Sequence, residues 1–171
     1  FELLLRMSAM ELPDDGFPAY NEALLSEELS RFGQWFVTAM LGYQPDDEEL
    51  LLLQKFFRRL TDSALEQPRV FVHRDFHSRN LMLLPEDELA VIDFQDAVLG
   101  PVTYDLVSLL RDCYIRWPES RVRDWVLDYR ALLGEARLPD GNDEQTFLRW
   151  FDWMGLQRHI KVLGTFARLY L

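Results

Sequence analysis

The chain has 171 residues and a formal charge of −11, with 29 acidic residues against 18 basic ones, and 49% of its residues are apolar. Apolar residues run along the whole length, which supports a packed domain and excludes a disordered tail, while the net negative charge excludes nucleic acid and anionic membrane surfaces as primary partners. The single cysteine, Cys113, leaves no internal disulfide, reads as a core thiol and fits a cytoplasmic location, and no apolar run is long enough to span a bilayer.

Residues 1–11 read as the end of a helix, broken by Pro13-Asp14-Asp15-Gly16. Asn21 is placed to cap a helix in which Leu24, Leu25, Leu29, Phe32, Phe36, Val37 and Met40 recur with helical spacing, ended by Gly42 and Pro45. A second helix opens on the acidic pair Asp46-Asp47 and runs through Leu65 to Pro68. The period then changes. Val70-Phe71-Val72 is a short β-rich run, His73–Asn80 a polar loop, and Leu81–Leu84 with Leu89–Ile92 forms a hairpin around the turn Pro85-Glu86-Asp87-Glu88. From Pro101 onward helices are expected near 103–115, 119–133 and 143–170, with Trp117, Trp125, Trp150 and Trp153 at spacings that suit core positions better than a sugar-stacking platform. The fold class is α+β, mostly helical, with one small central hairpin whose polar ends carry the chemistry.

That chemistry is concentrated in residues 70–96. His73-Arg74-Asp75 is followed after four residues by Asn80, and Asp93 comes thirteen residues later in Val91-Ile92-Asp93-Phe94. Phosphoryl transfer needs a carboxylate to orient and deprotonate the accepting hydroxyl, and a divalent cation to neutralise charge on the phosphates. Asp75 in the loop suits the first task. Asn80 and Asp93 suit the second, because a neutral amide oxygen and a hard carboxylate together ligate Mg²⁺ without excess repulsion, and the hairpin between them is the covalent link that sets them side by side.

The segment resembles the signature of the aminoglycoside phosphotransferase and choline kinase-like family, in which a His-Gly-Asp-x-His-x-x-Asn loop precedes Ile-Asp-Phe. The match falls on His73, Asp75, His77, Asn80, Ile92, Asp93 and Phe94, with Arg74 in place of the usual glycine, and Gly100-Pro101-Val-Thr-Tyr-Asp105-Leu106 resembles a later family element. The resemblance implies the protein-kinase-like fold, ATP and Mg²⁺, a catalytic Asp75, metal ligands Asn80 and Asp93, and loop support from His73, His77 and a buried Asp105. Within the family, His-Arg-Asp-Phe-His-Ser-Arg-Asn and Arg-Asp-Cys-Tyr-Ile followed by Trp-Pro are most similar to the branch that phosphorylates the anomeric hydroxyl of N-acetylmuramate and N-acetylglucosamine in peptidoglycan recycling. An aminoglycoside-antibiotic kinase is the neighbouring alternative, and a non-catalytic kinase-like binding module the alternative from another class. Gln95, Asp96, Arg111 and Asp112 are the candidate acceptor contacts, Arg111 as a partner for the lactyl carboxylate of N-acetylmuramate; a surface Arg111–Asp112 pair is the structural reading of the last two.

No Gly-x-Gly-x-x-Gly occurs in the sequence, and its only lysines, Lys55 and Lys161, both fall in helical runs. Residues 1–171 therefore read as the catalytic C-lobe, cut at both ends, with the phosphate-gripping N-lobe absent. The expectation is an enzyme whose isolated C-lobe is inactive.

Overall fold

The computed structural model describes residues 1–11 and 17–171, so the expected break at Pro13–Gly16 lies outside the described residues. The chain is mostly helical with small antiparallel sheets, and divides into two compact units. One unit comprises Phe1–Tyr20 and Gln67–Asp152, the other Asn21–Glu66 and Trp153–Leu171.

The second of these units is all helix among its described residues. Asn21 caps helix α2 (Glu22–Arg31), its Oδ1 accepting from the Leu24 N–H at 3.0 Å. The helix does not continue as α to Met40: from Phe32 to Met40 the chain winds as a π-helix. The change of winding falls where another backbone crosses closely. A Cβ on Gly164 would stand 2.5 Å from the Phe32 nitrogen and 2.6 Å from the Arg31 carbonyl carbon, so only glycine admits this approach. Helix α3 (Asp47–Leu65) starts with a full capping box between Asp46 and Glu49. Leu29, Leu60 and Ile160 form the buried centre, with Phe32, Phe56, Phe57 and Trp153 packed around it. The Lys161 ammonium lies 3.0 Å from the fully buried Glu28 carboxylate, which matches that buried charge with an opposite one.

The first unit carries all of residues 70–96. Helix α1 (Glu2–Ser8) sets the Ser8 hydroxyl 3.0 Å from the Tyr129 hydroxyl, and burial pushes the Tyr129 phenol up to about 12. Strands β2 (Leu81–Leu83) and β3 (Leu89–Val91) pair antiparallel with Leu81 opposite Val91. The turn between them places Glu86 and Asp87 at positive φ, 67° and 59°. Beyond this expected hairpin there is a second ladder, so the single-hairpin reading needs correction. Strand β1 (Arg69–Val72) pairs antiparallel with β4 (Val98–Pro101), in the register Arg69 to Pro101 and Val72 to Val98. From sequence, Gly100-Pro101 reads as part of a family-like element before the helix expected near 103–115. In the structure a Cβ at Gly100 would meet Tyr20 Cβ at 3.1 Å and Val72 Cγ2 at 3.3 Å, so the glycine permits close packing within the strand.

Helix α4 (Tyr104–Leu110) is shorter than the expected 103–115. Arg111 leaves helical geometry (φ −116°, ψ 45°) and the chain turns outward, which puts Cys113 on the surface rather than in the core. Helices α5 (Glu119–Glu135) and α6 (Glu144–Tyr170) follow as expected, α6 contributing its residues to Asp152 to this unit. Trp150 is buried, whereas Trp117 is 37% exposed and meets Trp125 edge to face at 5.3 Å.

Candidate active site

Strand β1 delivers the chain to the loop His73–Asn80. The loop begins with a strained residue: Arg74, where the resembling family has glycine, sits at φ +75°. A non-glycine residue there costs about 1–2 kcal/mol. The cost is offset by Asp105, 3% exposed in the first turn of α4, whose two oxygens accept from the His73 N–H at 2.6 Å and the Arg74 N–H at 3.0 Å. Both are charge-assisted bonds to a buried carboxylate, the kind that fixes a backbone most firmly. The Arg74 side chain reaches the Asp96 carbonyl at 3.3 Å and lies over the Tyr20 ring.

The loop then closes on itself. The His77 N–H donates to the Asp75 carbonyl at 3.0 Å, the Asn80 N–H to the His77 carbonyl at 2.9 Å, and Asn80 Nδ2 to the Asp75 carbonyl at 3.0 Å. That last bond fixes the side-chain amide, leaving its Oδ1 as the free acceptor. The Ile92 N–H donates to the Asn80 carbonyl at 3.1 Å, so the open end of the β2–β3 hairpin holds Asn80 and Asp93 next to each other. Asp93 is exposed, at φ +72°, and accepts from Gln95 Nε2 at 2.8 Å.

His73 is only 2% exposed. Burial holds its imidazole below the usual range, against the opposing pull of Asp75, the Ile92 carbonyl and Asp93, while His77 adds to the lowering. Among the described residues no group of three or more His, Cys, Asp or Glu is arranged to hold a metal. The donor set of one carboxylate, Asp93, and one oriented amide oxygen, Asn80, fits Mg²⁺ nonetheless, because that ion takes few protein ligands and completes its shell with water and phosphate oxygens.

The remaining sequence candidates separate. Arg111 and Asp112 do not pair with each other. The Arg111 guanidinium lies 2.7 Å from Glu119, 2.8 Å from Asp152 and over the Phe151 ring, beside a cavity of about 160 Å³. Both ion pairs are made through one guanidinium nitrogen. Asp112 is buried and turned to the catalytic loop, accepting from Ser78 Oγ at 2.7 Å and the Ser78 N–H at 3.3 Å, and from the Tyr114 N–H at 3.2 Å. Burial pushes its carboxyl up, but these hydrogen bonds bring it below the ordinary value. Three residues that sequence reasoning does not single out complete this side of the loop. Ser78 is bound to Asp112, and Tyr114 carries the Arg79 guanidinium 3.7 Å over its ring and meets His77 edge-on at 5.7 Å. Only the motif spacing hints at them, since their contacts join positions more than thirty residues apart.

Comparison with known proteins identifies the family. The model of the phosphotransferase enzyme family (APH) matches residues 1–147. The chain is 46% identical over 153 residues to an N-acetylmuramate/N-acetylglucosamine kinase of Neisseria meningitidis serogroup B, covering 90% of this chain and 46% of that protein. It is 42% identical over 168 residues to the protein of the same name from Pseudomonas putida, covering 98% and 49%. The Pseudomonas aeruginosa counterpart is 47% identical over 152 residues, covering 89% and 45%. The chain thus spans about half the length of the relatives it matches.

Proposed function

From the premise that this chain belongs to the phosphotransferase enzyme family, we propose that it carries the catalytic centre of an ATP-dependent amino-sugar kinase, acting on the anomeric hydroxyl of N-acetylmuramate and N-acetylglucosamine. The observation that supports this reading best is the loop geometry: Asp75 and Asn80 are bound together through the Asp75 carbonyl, and Asn80 is bound in turn to the strand end that bears Asp93.

In this mechanism the Asp75 carboxylate accepts the proton of the sugar hydroxyl as its oxygen bonds to the γ-phosphorus, and the bond from that phosphorus to the bridging oxygen of ADP breaks. Asn80 and Asp93 hold Mg²⁺, which when bound neutralises charge on the phosphates. His73, buried at the start of the loop, supports it through its backbone N–H, which donates to Asp105. Gln95 and Asp96, beside Asp93, line the acceptor side. The chain acts as the C-lobe of a kinase-like fold. Lys55 lies on α3 and Lys161 is paired to Glu28. The setting that suits these substrates is cytoplasmic peptidoglycan recycling. Among the described residues no helix is long and apolar enough to cross a membrane.

The test is ADP release by the full-length protein with N-acetylmuramate, N-acetylglucosamine and kanamycin as alternative acceptors. Turnover with both sugars and none with the drug supports the reading. Preference for kanamycin, or turnover with no acceptor tested, overturns it.

A further inference from the structure

The catalytic loop is held by two buried carboxylates, and both come from the segment around α4. Asp105 grips its first two residues, His73 and Arg74. Asp112, just beyond the helix end, grips Ser78 through both hydroxyl and N–H. Asp105 is the second residue of the helix Tyr104–Leu110 and Asp112 lies two residues past its end, so about 8 Å of helix separates the two grips. That helix acts as a ruler, setting the distance between the two ends of the loop that contains Asp75.

Asp112 is placed to do this and little else. It is 8% exposed, and its oxygens are occupied: one accepts from Ser78, the other from the Tyr114 N–H. The Ser78 it holds opens the short 3₁₀ turn Ser78–Asn80, at the end of which stands the amide ligand Asn80. The Tyr114 it holds is the ring on which Arg79 rests, 3.7 Å from the guanidinium. All three residues of the turn are thereby tied to Asp112, directly through Ser78, through Tyr114 for Arg79, and through the turn itself for Asn80.

We propose that Asp112 is a positioning residue for the metal-side half of the loop, acting through Ser78 on Asn80, rather than a contact for the sugar. This rests on the kinase reading above. Truncating a side chain that touches the sugar raises the KM for the sugar. Truncating a positioning residue loosens the turn, lowers kcat and raises the Mg²⁺ concentration needed for half-maximal rate, while leaving the KM for the sugar nearly unchanged.

The experiment compares Asp112→Ala, Asp112→Asn and Ser78→Ala with wild type in the full-length protein. It reads kcat, the KM for N-acetylmuramate, the Mg²⁺ dependence and, in metal-free and nucleotide-free buffer, the amide hydrogen exchange of residues 77–80. The expected result is a fall in kcat of about 10- to 100-fold for Asp112→Ala, with a smaller fall for Ser78→Ala and for Asp112→Asn, which keeps one of the two acceptor oxygens. A raised Mg²⁺ requirement, faster exchange at 78–80 and a KM for the sugar within about twofold of wild type accompany it. Should Asp112→Ala fail to fold, Asp112→Asn and Ser78→Ala carry the same test. A KM for the sugar raised tenfold at unchanged Mg²⁺ dependence and unchanged exchange overturns the inference. An inactive wild type overturns the kinase reading instead, while the exchange data still decide whether Asp112 holds the turn.

Discussion

The two stretches that meet at the open end of the hairpin are built on opposite principles. The loop His73–Asn80 is tied from behind by buried carboxylates, with Asp105 at 2.6 and 3.0 Å and Asp112 at 2.7 Å. The stretch Ile92–Asp96 is exposed throughout, Phe94 by 67%, and is held by the Ile92–Asn80 backbone bond, the Gln95–Asp93 contact and the Ala97 N–H bond to the Phe94 carbonyl. The first stretch is preorganised by the fold, so its geometry exists before any ligand binds. The second offers the Asp93 carboxylate on a short, accessible stretch with few buried partners. On the proposed reading, the base depends on tertiary anchors and the metal carboxylate on local backbone bonds.

The largest effect is expected at the base. Asp75→Ala in the full-length protein lowers kcat by about 100- to 10,000-fold with ATP affinity retained, as read by steady-state kinetics and calorimetry. A kcat within threefold of wild type breaks the assignment of Asp75.

Next comes the anchor behind it. Asp105→Ala strands the N–H groups of His73 and Arg74 in the interior and costs about 2–4 kcal/mol of stability by denaturant unfolding. The same substitution at Asp93, on the exposed stretch, leaves stability within about 0.5 kcal/mol. Equal losses at both positions remove the contrast between the two stretches.

A smaller effect sharpens the case for strain at the start of the loop. At φ +75° alanine is unfavourable and glycine is not, so Arg74→Gly is more stable than Arg74→Ala by about 1 kcal/mol, both variants having lost the same side chain. An alanine variant as stable as the glycine one contradicts a left-handed residue 74.

The smallest effect is a pH dependence in metal-free buffer. Burial lowers the His73 pKa, so between the native value and the unfolded value of 6.5 the unfolded chain binds a proton that the native one does not. The stability this provides is complete above that unfolded value and is lost as pH falls through the native one. His73→Gln accordingly shows a flatter urea midpoint between about pH 7 and pH 5 than wild type; a profile identical in slope removes His73 as the cause.

Local signals are easily read from the sequence. Asn21 as a cap, the acidic start at Asp46, the hairpin around Pro85–Glu88 and the late helices are each set by residues within a few positions of one another. What is not legible depends on distant partners. The pairing of Val98–Pro101 with Arg69–Val72 needs Tyr20 against Gly100, and the π-winding after Arg31 coincides with the close approach of Gly164. The early end of α4, which exposes Cys113, leads into Asp112, whose partner Ser78 is 34 residues away. The site divides in the same way. Motif spacing selects Asp75, Asn80 and Asp93, but the Ser78–Asp112 bond and the Arg79–Tyr114 stack are tertiary facts with no local signature.

The most direct test of the proposed chemistry is ³¹P NMR of the product formed by the full-length protein from ATP, Mg²⁺ and N-acetylmuramate, run beside Asp75→Asn. A sugar 1-phosphate is expected from wild type and almost none from the variant. Phosphate on any other hydroxyl, or equal product from both proteins, contradicts a kinase that uses Asp75 as its base on the anomeric hydroxyl.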